Sequence, residues 1–260
     1  MAGSVLGIDV GCSLNRRSSA VCRFDWDEQK VSWTIERFRA GEPERTDTII
    51  RVAGGANLLC SAFDGPLRSD LDLIGTYRTA ERMLTRQFGA LIGKPGQSST
   101  PVGKLLNANA NECARIVLGM GTLSDAFHRA AIHKHSIVEA FPSSFLGLMI
   151  REPTSLGARR RNRSDVFFAH LVATGELERL VNRLLPQRRL IQAFDAINNH
   201  DDRAALICAL TALCIGARDY VAVGDDQGWI ALPPKDFIQP WAWHCLTSNA
   251  SAGHELVQEQ

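Results

Sequence analysis

Four places in the chain put a carboxylate where an apolar run gives way to a loop or a helix start: Asp9, Asp64, Glu139 and the pair Asp201/Asp202. Asp9 closes the run Ser4–Val10, Asp64 follows the apolar stretch 57–63, and Glu139 interrupts Ile137-Val138-Glu139-Ala140-Phe141. If the strands carrying them are neighbours, the acids converge, and like charges at the margin of a core are costly unless they are protonated or bound to cations. A divalent ion resolves that conflict. Magnesium or manganese held by a few carboxylates keeps sites for water and phosphate oxygens, which suits hydrolysis of a phosphodiester. Each acid also has a purely structural explanation. Asp9 in Gly7-Ile8-Asp9-Val10-Gly11 and Asp64 before Gly65-Pro66 suit turns, and Asp201 and Asp202 suit a helix N-terminus. A buried Glu139 needs a partner.

Basic residues supply candidate substrate contacts. Arg78, Glu81 and Arg82 share one helical face by their spacing, so they either pair internally or aim guanidinium groups at phosphate. We read Glu81 as structural and keep Arg78 and Arg82 as candidate contacts. Arg159, Arg160, Arg161 and Arg163 form the densest basic cluster, able to fork onto phosphates, although a solvated loop is the more frequent explanation of such a run. His133 and His135 read as surface residues, and Trp229, Trp241 and Trp243 as packing.

The elements that must position these groups follow from periodicity. Residues 4–10, 18–25 and 30–38 read as three sequential strands, the second and third joined by a hairpin-length connection. A short helix over 46–52, a strand over 57–63 and a helix over 77–88 follow. Residues 93–103 read as loop, 105–118 and 123–133 as helices, and 136–140 as a strand entering Pro142. An arginine-rich loop over 151–164 leads to helices near 165–174 and 176–184, read as an insertion spanning about 151–190. The clearest helix covers 201–217, with Ala205, Cys208, Ala209 and Ala212 giving a small-residue face that allows close approach to a sheet. A terminal strand over 229–232 completes the list, and 246–260 reads as a frayed tail. One domain over 1–245 is expected: a mixed sheet with an antiparallel three-strand meander, then parallel strands, helices on both faces and a helical insertion.

Composition sets the remaining bounds. With 45% hydrophobic and 22% charged residues the 260-residue chain is an ordinary globular sequence. A net charge of +1 gives no general attraction to nucleic acid or anionic lipid, so any phosphate-binding surface is local. Seven scattered cysteines without metal-site spacing suit reduced thiols in the cytoplasm, and no export or membrane-spanning segment is read. Nucleic acid is the candidate partner; the oligomeric state is open.

The motifs Gly7-Ile8-Asp9-Val10-Gly11, Ala62-Phe63-Asp64-Gly65-Pro66-Leu67, Tyr77-Arg78-Thr79-Ala80-Glu81-Arg82, Val138-Glu139-Ala140-Phe141-Pro142 and His200-Asp201-Asp202-Arg203-Ala204-Ala205, with Gly228-Trp229-Ile230-Ala231-Leu232-Pro233 after them, form an ordered set. That set resembles the domain of unknown function 429 family, described as predicted ribonuclease-H-like nucleases, over Gly7 to Pro233. The resemblance implies that Asp9, Asp64, Glu139 and one of Asp201/Asp202 are the acids of the first, fourth and fifth strands and the last helix. It implies a metal-dependent nuclease with Asp9, Asp64, Glu139 and Asp201 as ligands. One departure is that Ala204 and Ala205 stand where such enzymes often carry a second late-helix Asp. Two alternatives stay open: a non-catalytic nucleic-acid or protein binding module on the same fold, and an actin-like ATP-dependent phosphotransferase, for which Asp9-Val10-Gly11-Cys12-Ser13 suits a phosphate turn but no second glycine-rich loop is found.

Overall fold

The computed structural model describes residues 2–68, 77–93, 95–97, 99–125, 135–159, 162–225, 227–250 and 255–259. A continuously buried apolar run builds β1 (Gly3–Asp9), and alternating residues build the end of β2 (Ser19–Trp26) and much of β3 (Lys30–Phe38); the three pair antiparallel in sequence order. Asp27 closes the β2–β3 hairpin by accepting from the backbone N–H groups of Gln29 and Lys30. Helix α1 (Glu44–Ala53) stops at Gly54, whose left-handed backbone (φ 59°) suits glycine, and leads to β4 (Leu58–Asp64), parallel to β1.

The next segment holds a short α2 (Thr79–Met83), the long α3 (Pro101–Leu118), β5 (Ser124–Asp125) and β6 (Ser136–Ala140), which is parallel to β4. Thr100 caps α3 and Pro101 opens it, so the helix starts inside the expected loop. Residues 124 and 125 pair with β6 instead of continuing a helix. The rest of that expected helix lies outside the described residues.

Pro142 then opens α4 (Pro142–Leu148), which the sequence reading missed. Helices α5 (Arg163–Ala173) and α6 (Glu176–Leu184) follow as expected, then β7 (Arg189–Leu190), which joins β3 at the sheet edge. Helix α7 (His200–Ala217) returns the chain to the centre. The hairpin β8 (Tyr220–Asp225) and β9 (Gly228–Leu232), α8 (Pro240–Asn249) and β10 (Glu255–Glu259) complete the fold. The expected tail is corrected: residues 240–249 form a helix, and β10 pairs antiparallel with β8.

The resulting 10-stranded mixed sheet runs β10-β8-β9-β6-β4-β1-β2-β3-β7, with β5 beside β6. Two apolar layers cover it. Leu6, Ile8, Phe63 and Ile137 pack against α1 and α3, while Val5, Cys60, Ala62 and Val138 face the layer containing α4–α8. Every residue of α7 from Ala204 to Ile215 is buried, so this helix lies between sheet and outer helices instead of showing a solvent face. It touches β1 at Gly7, where a Cβ would fall 2.0 Å from the backbone nitrogen of Ala209 and 2.3 Å from the Ala205 carbonyl oxygen. Among the described residues no helix is long and apolar enough to cross a membrane.

Candidate functional site

Strand parity decides which acids meet. Asp9 is in phase with Val5 and Gly7, and Asp64 with Cys60 and Ala62, so both side chains project from the α7 side of the sheet. They are direct partners across the parallel β1–β4 ladder, and neighbouring strands lie about 4.8 Å apart. Asp64 pairs onward with Ala140 and Asp9 with Ala20, which pairs in turn with Arg37. One transverse row at the carboxyl edge of the sheet thus reads Ala140, Asp64, Asp9, Ala20, Arg37, with a small buried alanine on each side of the acid pair.

Helix α7 brings the second pair of acids over this row. Asn199 caps it, its Oδ1 accepting from the backbone N–H groups of Asp201 (2.9 Å) and Asp202 (3.4 Å). From the contact of Gly7 with Ala205, Asp201 and Asp202 lie one helical turn toward the helix start, as Asp9 lies two residues along the strand. Electrostatics agree with the placement. Burial pushes the Asp9 carboxyl well above the usual carboxylate range, and the charges of Asp64, Asp201 and Asp202 push it further. Burial raises Asp64 to about 7, partly offset by His200. Asp202 is raised by burial and by Asp201 against the opposing pull of Arg37.

Arg37 was not singled out from sequence. Its Nε lies 3.5 Å from Asp202 Oδ1, a buried oxygen that accepts no hydrogen bond. Arg37 is in phase with Val31, Trp33 and Ile35 of β3, and that alternation was the signal that it faces α7. Two asparagines of α3 fix the turns behind the acids. Asn107 Nδ2 donates to the carbonyls of Pro66 (2.7 Å) and Arg68 (2.8 Å), and Asn109 Nδ2 donates to that of Gly11 (3.4 Å).

Glu139 is not part of this cluster. Its register partner on β4 is Phe63, one residue short of Asp64, so its side chain leaves the opposite face of the sheet. There Arg78 grips it with two bonds, Nη1 to Oε1 at 2.8 Å and Nη2 to Oε2 at 2.7 Å, while the Leu67 N–H donates to Oε1 at 2.9 Å. Arg78 Nε also donates to Glu81 Oε1 at 3.0 Å. Only glycine fits at position 228, where φ is 134° and a Cβ would meet Arg78 Nη1 at 2.5 Å. The three charged groups are buried, Arg78 at 2% exposure and Glu139 at 5%. Arg78 is thereby withdrawn from the candidate phosphate contacts. Glu81 is structural, as expected.

Arg82 is exposed, donates to Thr79 Oγ1 at 3.0 Å and lines a separate surface pocket with Tyr77, Arg86 and Asn249. Arg159 is exposed and its N–H donates to Asn162 Oδ1, whereas Arg160, Arg161 and His133 lie outside the described residues. The tryptophans pack: Trp229 is buried, Trp241 Nε1 donates to the Ile150 carbonyl, and Lys235 sits over Trp243.

Against protein-family models, curated proteins and solved structures, the chain matches nothing. The site is therefore assigned on its geometry. Among the described residues no group of three or more His, Cys, Asp or Glu side chains is gathered to hold an ion alone. What the site offers is a pair of hard oxygen donors, Asp9 and Asp64, with Asp202 Oδ1 unsatisfied near by. Magnesium is commonly held by one or two carboxylates, with water and substrate phosphate completing its shell, and these donors fit it.

Proposed function

We propose that the chain is a divalent-metal-dependent nuclease or phosphodiesterase of ribonuclease-H-like architecture, with Asp9 and Asp64 holding magnesium or manganese and Asp201 or Asp202 completing the acid cluster. The observation that carries this reading is the pairing of Asp9 with Asp64 on one face of adjacent parallel strand ends. An antiparallel meander followed by parallel strands, with acids on the first and fourth strands, supports the architecture. When bound, the ion activates water and neutralises charge on the phosphate.

The chain's own groups do the positioning. Asn107 and Asn109 hold the backbone turns behind the acids, and the α7 cap at Asn199 holds Asp201 and Asp202 over them. Arg37, in the same row beyond Ala20, lies against Asp202 and would take a phosphate oxygen in exchange for it.

A second reading, a non-catalytic binding module, is favoured by one observation: Glu139 is spent on Arg78, leaving fewer acids at the site. Cleavage of single-stranded, duplex, hybrid and branched nucleic acids in magnesium or manganese separates the two. The nuclease reading predicts metal-dependent cleavage that falls by at least about a hundredfold in Asp9→Asn and in Asp64→Asn, since even outer-shell changes at metal sites cost 10–100-fold. No cleavage by folded protein on any substrate would favour the binding module.

A further inference from the structure

On the far side of Asp64 from Asp9, an open pocket of about 90 Å³ lies at the carboxyl edge of β4, β6 and β9. Its walls are mostly apolar, from Pro66, Leu106, Phe141 and Ile230, and Asp64 is among its lining residues. Arg78, Glu81 and Glu139 form its polar end.

The charges decide what can enter. Three carboxylates line the pocket against one guanidinium already bound to two of them, so a phosphate or other anion is repelled. A carboxylate has about four acceptor positions. Among the described residues, Glu139 takes two bonds on Oε1, from Leu67 N–H and Arg78 Nη1, and one on Oε2, from Arg78 Nη2, so that Oε2 has room to accept one more. The complementary ligand is a flat, uncharged, largely apolar ring bearing an N–H donor. Phe141 supplies a partly buried ring face for it.

We propose that this pocket receives a nucleobase of the substrate, with the base between Phe141 and Leu106, its amino edge on Glu139 Oε2, and its phosphate directed past Asp64 to the acid pair. The proposal deepens the nuclease reading and rests on it for the neighbouring phosphate, but base binding can be measured without cleavage. Glu139 is then a specificity residue, held rigid by Arg78, instead of a metal ligand.

The test is fluorescence anisotropy with labelled hexanucleotides in magnesium, each carrying one abasic residue at a different position, against wild type, Leu106→Trp and Phe141→Leu. Stacking one base is worth about 1–3 kcal/mol, so one abasic position is expected to weaken wild-type binding by roughly five- to 150-fold. Leu106→Trp, which fills the pocket, and Phe141→Leu, which removes the ring face, should each erase most of that difference. Equal affinity for intact and abasic strands at every position, or no binding, overturns the proposal. So does unchanged discrimination in both variants. Nucleoside monophosphates serve as competitors: competition supports the pocket with free nucleotide as its source, and an abasic effect without competition supports it with a strand. Cleavage without base discrimination would sink the pocket and leave the nuclease reading standing; base discrimination without cleavage would do the reverse.

Discussion

Asp64 carries a penalty that the metal-free protein must bear. Its folded carboxyl titrates near 7 because of burial, whereas an unfolded aspartate titrates near 3.9. Folding therefore favours the protonated acid. The resulting loss of stability is absent below about pH 4, grows as pH rises, and is complete above about pH 7. Asp64→Asn should accordingly raise the melting temperature at pH 8 in chelator and change it little at pH 4. Magnesium should raise the wild-type melting temperature at pH 8 and leave that of the variant nearly unmoved. Calorimetry at the two pH values checks this, and a variant less stable than wild type at pH 8 would show that Asp64 is held by a partner and not strained by burial. Arg78 has the opposite character. Replacing it by Met strands Glu139 and Glu81 without their shared cation, and breaking a buried pair costs about 3–5 kcal/mol. Urea unfolding of Arg78→Met should show a loss of that order, with Arg78→Lys failing to restore it, because an ammonium cannot reproduce the two-pronged grip on Glu139.

At the scale of elements, the site depends on how closely α7 lies on β1. The small face of Ala205, Cys208, Ala209 and Ala212 was legible in the sequence, and so was the strand ending in Asp9, but their meeting point at Gly7 was not. Gly7→Ala should destabilise the protein by at least about 1–3 kcal/mol, the usual cost of overpacking, because the added carbon meets helix backbone that cannot rotate away. It should also weaken metal binding by moving Asp201 and Asp202 off the row; denaturant unfolding and manganese titration of one preparation measure both effects. The misplacement of Glu139 has a comparable physical origin. All five residues of β6 are buried, so no polar alternation marks which side chains face which layer. Parity became readable only through pairing with β4. By contrast, Lys30–Phe38 alternates well enough that Arg37 was available to a more careful reading of phase.

For the molecule as a whole, the meander, the parallel strands after it and the two helical layers followed from the order of periodic segments. What escaped was the sheet's far edge. β10 follows a helix that the periodicity does not mark, and its pairing with β8 passes back over β9 and α8, which no local pattern announces. β7 is only two residues long and joins β3 from more than 150 positions away. The near-neutral net charge likewise hid a local field: acids from β1, β4 and α7 converge at one end of the sheet, with Arg37 beside them. The proposed chemistry rests on that convergence. It is tested most directly by titrating manganese into metal-free wild type, Asp9→Asn and Asp64→Asn and following the free-ion spin-resonance signal. A shared ion site predicts saturable binding by wild type and its loss in both variants. Equal binding by all three proteins, or none by folded wild type, would contradict it.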